Sequence, residues 1–382
     1  MKIDEIKDHF GDMIEEQLKR IKQIEEDKEI TDYSKLDKIV IGIIPGDGIG
    51  PIISRQALRV INQLLREEIQ NNKIEIRQIE GLTIENRVEK MQSVPTEVFE
   101  EIKKCHVLLK GPTVTPSLGD KYPNLPSANS ALRRGLDLFC QVRRIEAPDK
   151  GIDWTFFREN VEGEYVLGSK GLQVDDILAV DFKILSRANA ERLARAAFEF
   201  AKKNGKTVVT VITKGNVIKA TDGNLIKICQ EVAKEYPGIE LQGRYVDVTS
   251  AKLRVPEFNK NFQVLILPNL YGDIVTDIAV EYLGGIGAAG AANLGNKKAI
   301  FEATHGTAPF LVENGRGDYA SPTSLLKAVG LMLSHIGFPD KAKSLSEALD
   351  ICGRKERKIV ITSEVKDASA KEYTDYILGK LL

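Results

Sequence analysis

KIVIGIIPGDGIGP, residues 38–51, carries three signals in one short stretch. KIVIGII is almost entirely apolar and rich in β-branched residues, which reads as a buried strand. Gly46, Gly48 and Gly50 then make a turn, and a helical stretch over residues 52–68 follows. Strand, glycine turn and helix make one βα unit. The spacing is G-x-G-x-G followed by Pro51, which is not the G-x-G-x-x-G of the common dinucleotide fingerprint. Two readings remain open for the turn. Its backbone N–H groups face a ligand at a helix N-terminus, or glycine simply relieves strain in a tight turn.

The same alternation runs outward from this unit. Strands are expected at EIRQIE (75–80), HVLLKG (106–111), TVVTVIT (207–213), FQVLILP (262–268) and KAIFEA (298–303). Helices are expected at 95–104, 186–203, 222–235, 273–283, 322–336, 343–351 and 369–381. Strands that alternate with helices imply parallel pairing through crossovers. GGIGAAGAANLG (284–295), nearly all small residues, reads as a loop that lets backbones approach closely. Residues 163–182 alternate and are turn-rich, as in a β-hairpin extension. At the N-terminus, Ile3, Ile6, Phe10, Met13, Ile14, Leu18, Ile21 and Ile24 fall at helical spacing, with Gly11 a weak point. This arm either docks on a partner subunit or packs on its own chain.

With 382 residues there is room for two domains. The net charge of −1 gives no electrostatic case for nucleic-acid binding. No apolar run approaches membrane-spanning length, and MKIDEIKD is too charged to open a secretory signal. The four cysteines, Cys105, Cys140, Cys229 and Cys352, are scattered, which points to a reducing, cytoplasmic setting.

Chemistry-bearing residues cluster in a few places. Asp273 and Asp277, in PNLYGDIVTD, are four apart and share a helix face, where like charges repel. A divalent Mg²⁺ or Mn²⁺ would relieve that; the alternative is an N-cap and an answer to the helix dipole. Arg133, Arg143 and Arg158 are forks suited to carboxylates, or surface arginines paired with glutamates. Ser127 and Asn129 offer hydrogen bonds, or suit a turn or cap. Lys214 and Tyr165 can serve as acid or base where their surroundings move their pKa.

Eight motifs occur in order: GDGIGP, KGPTVTP, S-x-N-x-x-L-R, FREN-x-EGEY, TKGN, NLYGDI-x-x-D, GGIG-x-x-x-x-AN-x-G and HGTAP. Together they resemble the β-decarboxylating dehydrogenases that include the isocitrate and isopropylmalate enzymes, over about residues 38–382. The resemblance implies a non-Rossmann α/β fold with a large and a smaller domain. It implies a large domain from 37–138 and 285–382 and a small domain at 139–284 with a clasp at 163–182, and it leaves the N-terminal helical arm, 1–36, outside. It implies that a 2-hydroxy acid loses hydride to NAD(P) and then CO₂. Arg133, Arg143 and Arg158 match the residues that hold substrate carboxylates. Asp273 and Asp277 match ligands of Mg²⁺ or Mn²⁺, with Asp247 as a third from a partner subunit. Lys214, also from the partner, matches the residue linked to hydroxyl deprotonation, and Tyr165 the acid that protonates the enol. Thr115 and the run His305, Gly306, Thr307, Ala308 and Pro309 match the cofactor loop. A homodimer or higher homo-oligomer with shared sites is therefore expected.

Within that family Ser127 and Asn129 match the S-x-N of isocitrate enzymes, so isocitrate giving 2-oxoglutarate is the expected reaction. Isopropylmalate, homoisocitrate or a tartrate-like acid is the alternative. The remote alternative is a non-catalytic, regulatory role. Phe310 and Leu311 stand where NADP-using relatives carry Lys-Tyr, which favours NAD; Arg316 or the run GRKERK (353–358) would be needed to reach a phosphate.

Overall fold

The computed structural model describes residues 3–117, 119–168, 171–285 and 288–381. The chain forms two compact units. Unit one is Met1–Ile30 with Phe139–Ala279, and unit two is Thr31–Leu138 with Val280–Leu382. The strands, in chain order, are β1 (Ile39–Ile44), β2 (Ile74–Gln78), β3 (Val107–Lys110), β4 (Cys140–Ala147), β5 (Ile152–Glu159), β6 (Leu172–Val174), β7 (Leu178–Val180), β8 (Val208–Thr213), β9 (Glu240–Tyr245), β10 (Val264–Leu267), β11 (Gly290–Leu294) and β12 (Ala299–Ala303).

In unit two the strand order is β2-β1-β3-β12-β11, parallel except for the antiparallel pair β11/β12. Every residue of β1 is buried, as expected of a parallel strand covered on both faces. The small-residue stretch read as a loop in fact contains β11. A Cβ on Gly290 would lie 2.5 Å from the backbone N of Ala328. The small residues bring the helix Thr323–His335 down onto the strand rather than making a loop. Ile286 and Gly287 of that motif lie outside the described residues.

In unit one the order is β4-β5-β10-β8-β9. β4 and β5 form an antiparallel hairpin, and the remaining pairs are parallel. The expected extension at 163–182 contains the two-stranded pair β6/β7; its Ser169 and Lys170 fall outside the described residues. The arm is one helix, Ile3–Glu26, unbroken at Gly11. It packs on its own chain. Met13 is buried with Val166, Leu167 and Leu172, and Ile6, Val180, Phe182 and Ile184 close around them. Phe10 meets Phe182 with ring centroids 5.1 Å apart. Among the described residues no helix is long and apolar enough to cross a membrane.

Candidate active site

Register places the two arginines of unit one. In the β4/β5 hairpin Arg143 pairs with Phe156, and Gln141 with Arg158. Side chains two apart on a strand, and those directly opposite in an antiparallel pair, share a face. Gln141, Arg143 and Arg158 therefore project together, and the helix Asn269–Val280 meets them. Arg158 and Arg143 are buried, at 2% and 6% exposure, which removes the surface-arginine reading.

Each arginine hydrogen-bonds one carboxylate of the helix, and Arg143 also lies 4.0 Å from Asp273. Arg143 Nη1 donates to Asp277 Oδ1 at 2.5 Å, and Arg158 Nη1 donates to Asp273. Arg158 also donates from Nε and Nη2 to Asn269 Oδ1, at 3.1 and 2.8 Å. A Cβ on Gly272 would sit 2.5 Å from Arg158 Cγ, so the glycine lets the arginine stem lie against the helix. The helix begins at Asn269, not at Asp273. Asp273 is therefore inside the helix and is not its N-cap.

Tyr165 completes this group. Its hydroxyl donates to Asp273 Oδ2 at 3.0 Å, and the Arg158 guanidinium lies 5.8 Å from its ring centre. Burial, followed by the negative charge of Asp273, pushes the Tyr165 pKa up to about 12. The phenol is thus a protonated donor at neutral pH.

Lys214 and Asp247 pair with each other, Nζ to Oδ2 at 2.7 Å. They follow the C-terminal ends of the adjacent parallel strands β8 and β9, the end at which open α/β sheets bind ligands. The hydrogen bond from Lys214 lowers the pKa of Asp247. Neither residue bonds to the Arg143–Arg158–Asp273–Asp277 group among the described residues. There, too, no set of three or more His, Cys, Asp and Glu side chains is placed to hold a metal.

Unit two holds the other expected residues. Ser127 caps the helix Ala128–Gly135, its side chain accepting from Ser130 N at 3.4 Å. Asn129 Oδ1 accepts from Thr113 Oγ1 at 3.2 Å. Arg133 Nη2 donates to Glu302 Oε1 at 3.2 Å. The GDGIG turn holds the backbone on either side of it. Asp47 N donates to Pro112 O at 2.8 Å and Ile49 N to Thr307 O at 3.0 Å. Gly46 and Gly48 have φ of +74° and +58°, and a Cβ on either would lie 2.2 Å from the carbonyl oxygen of Pro112 or Thr307. The turn packs closely on backbone at both sides, and it draws the segments bearing Thr115 and His305–Pro309 together. His305 Nδ1 donates to Gly306 O, 2.9 Å away, and burial lowers its pKa. Ala308 has φ +42°, a left-handed conformation at the start of the helix Pro309–Glu313.

The model of the family described as isocitrate/isopropylmalate dehydrogenase matches residues 40–377. The chain belongs to this family. It is 33% identical over 356 residues to subunit 2 of the mitochondrial NAD isocitrate dehydrogenase of Schizosaccharomyces pombe, covering 89% of this chain and 87% of that protein. It is also 33% identical over 357 residues to a regulatory subunit of the mitochondrial NAD isocitrate dehydrogenase of Dictyostelium discoideum, covering 91% and 93%. Among solved structures, isocitrate dehydrogenase from Methylococcus capsulatus aligns with a TM-score of 0.77 at 32% identity, over 90% of this chain and 99% of that one. The mixed α/β architecture with parallel-dominated sheets is shared with that enzyme.

As an isocitrate/isopropylmalate dehydrogenase family member, the chain also shows polar residues that motif reading passed over. Glu302 lies in the otherwise apolar strand β12. It binds Arg133, accepts from Asn293 Nδ2 at 2.8 Å, and pairs with the buried Lys110 at 3.5 Å. Burial alone would raise its pKa, but the charges of Lys110 and Arg133 hold it at about 2. Asp47 and the fully buried Arg87 fix the segment that carries Thr115. Asp47 Oδ2 accepts from Val114 N at 2.7 Å, and Arg87 Nη1 donates to Val114 O at 2.6 Å. Arg87 Nη2 reaches Pro126 O, beside Ser127, at 3.1 Å. A charge inside an apolar strand was the one available signal for Glu302; nothing in the sequence marks Arg87.

Proposed function

We propose that this chain catalyses the metal-dependent oxidative decarboxylation of isocitrate to 2-oxoglutarate and CO₂, with reduction of NAD. The observation that carries the reading is the convergence of two buried arginine forks and a protonated tyrosine on two aspartates one helical turn apart. The names of the relatives support isocitrate and NAD. The donor set fits Mg²⁺ or Mn²⁺, since Asp273 and Asp277 are partly exposed carboxylates that offer hard oxygens. Among the described residues one chain brings these two to the arginines, so Asp247 of a second copy would be the third. Bound there, the cation supplies Lewis acidity at the substrate's hydroxyl and carboxylate oxygens.

The remaining work falls to side chains. Arg143 and Arg158 bind substrate carboxylates with the same forks they turn to the aspartates, and Arg133 is assigned a further one. Ser127 and Asn129 favour a polar third arm over an isopropyl group, because a carboxylate among apolar groups loses hydration without gaining a partner. Lys214 is assigned the deprotonation of the substrate hydroxyl, a step that needs its amine neutral and released from Asp247, and Tyr165 delivers a proton from its hydroxyl to the enol carbon. The cofactor segment favours NAD. Leu311 is buried, Phe310 is exposed and apolar, and Arg316 is engaged by both oxygens of Glu364 at 3.0 and 3.1 Å. Phe310 and Leu311 themselves offer no cation to a 2′-phosphate.

The test is a panel of isocitrate, isopropylmalate, homoisocitrate and tartrate, each with NAD⁺ and NADP⁺ and with Mg²⁺ or Mn²⁺. Isocitrate with NAD⁺ should give the highest kcat/KM. A better isopropylmalate rate would return the assignment to the family level. The regulatory relative favours one other reading, a non-catalytic subunit; it predicts no turnover of any acid by the purified chain.

A further inference from the structure

The family model begins at residue 40, yet the arm before it reaches the FREN-x-EGEY segment. Arg20, on the helix Ile3–Glu26, donates from Nη1 to Glu162 Oε1 at 2.6 Å. The Glu162 side chain is 1% exposed and that of Arg20 18%. Glu162 also accepts from Ser186 N at 2.8 Å and Ser186 Oγ at 2.5 Å. Among the described residues Arg20 is the only cation ion-paired with it. A second buried acid, Glu159, lies three residues back and takes the N–H groups of Val161 and Glu162, each at 2.8 Å.

From Glu162 a short path leads to the arginine–aspartate group. Its carbonyl accepts from Asn269 Nδ2 at 2.8 Å. Asn269 Oδ1 is the acceptor for two Arg158 nitrogens, and Arg158 and Tyr165 both bind Asp273. Gly163 sits between them at φ +75°, where a Cβ would come within 2.9 Å of Asn269 Cβ. Residues 158–165 therefore form one connected turn segment leaving the end of β5, with Arg158 at its start, Tyr165 at its end and two buried carboxylates, Glu159 and Glu162, between them. Taking the cation from a buried pair leaves a charge without compensation.

We infer that Arg20 is a positioning residue for the active site: by holding Glu162 from the N-terminal helix it fixes the turn that aims Arg158 and Tyr165 at Asp273. This rests on the reading of that group as the substrate site. The arm is then part of the enzyme's working architecture, although no motif residue lies on it. Glu159 is consistent with this: burial, then the charge of Glu162, raises its pKa to about 7, and Arg20 opposes the rise.

The experiment compares full-length Arg20→Met and Arg20→Lys with the wild type, by kinetics and by hydrogen exchange. Arg20→Met should lower kcat/KM for isocitrate by about tenfold or more, as expected for losing a buried charge-assisted bond. The change should include a raised KM for isocitrate with KM for NAD⁺ unchanged, which loss of active protein alone would not produce. Arg20→Lys should restore most of it. Amides in 159–165 and at Ser186 should exchange faster in Arg20→Met and near the wild-type rate in Arg20→Lys. Unchanged kinetics and exchange in Arg20→Met would overturn the inference. If the wild type does not oxidise isocitrate, the substrate reading fails separately, and exchange alone decides: lost protection upholds the role of Arg20, and retained protection overturns it. Should Arg20→Met not fold, Arg20→Gln is measured in the same way.

Discussion

Tyr165 and Glu302 show how much a single side chain's surroundings decide. Both are ordinary residue types; burial and one or two charges set their states. Tyr165→Phe removes the proton donor while leaving the Arg158–Asp273 pair, so kcat should fall by about 10²–10⁴-fold, the usual contribution of a positioned acid. KM for isocitrate should move little, which steady-state kinetics would show; an unchanged kcat would remove Tyr165 from the chemistry. Glu302 makes a stability prediction. Its folded pKa of about 2 lies below the ordinary 4.5, so its contribution is complete above pH 4.5 and is lost as pH falls toward 2. The shift corresponds to about 3 kcal/mol. Glu302→Gln should be less stable than the wild type at pH 7, and the gap in denaturant midpoint should narrow from pH 4.5 downward. A gap independent of pH would show that Glu302 acts by packing alone. Motif order made Tyr165 legible in the sequence. The partners that set its state were not legible, because Asp273 lies 108 residues away and meets it only through the fold.

At the level of elements, period and composition worked where a segment has one task and failed where it has two. β1, β8 and β10 are apolar because both faces are covered, and they read directly as strands. β4 and β5 carry Gln141, Arg143 and Arg158 on one face, and these polar residues interrupt the signal that would have marked a hairpin. β11 reads as a loop because its small residues serve an approaching helix, a partner that a local window does not contain. The helix Asn269–Val280 starts a turn earlier than its acidic residues suggest, since Asn269 and Gly272 are there to meet Arg158. This helix carries two tests. Asp273→Asn and Asp277→Asn should each lower turnover strongly. EDTA should abolish activity, and Mg²⁺ or Mn²⁺ should restore it; full turnover in chelator would remove the metal from the mechanism. Gly272→Ala, although alanine is the better helix former, should destabilise the protein because its Cβ meets the Arg158 stem. A raised melting temperature would show that the stem can move aside.

For the whole molecule, alternation announced a parallel-rich α/β protein, and the family resemblance supplied the division of the chain into ends and middle. The arm's place was not legible: an apolar stripe says that a helix face must bury, but not against what. The structure answers that for Met13 and its neighbours. It also leaves one chain with two carboxylates beside the arginines, while Asp247 is paired with Lys214 elsewhere on unit one. On the proposed reading, Lys214 and Asp247 serve the site of a second copy, which makes a dimer the least assembly that can turn over. Chains carrying Lys214→Ala and Arg133→Ala, each inactive, can then complement one another. In a mixed dimer, the site on the Lys214→Ala chain keeps its own Arg133 and borrows an intact Lys214. The other site loses both. Random exchange puts about half of the dimers in the mixed form with one good site each, so activity should return to roughly a quarter of the wild-type level. Denaturing and refolding the two chains together, with mass spectrometry to verify mixing, measures this. Verified exchange with no recovered activity would mean that each chain uses its own lysine, and the sharing of sites would have to be abandoned.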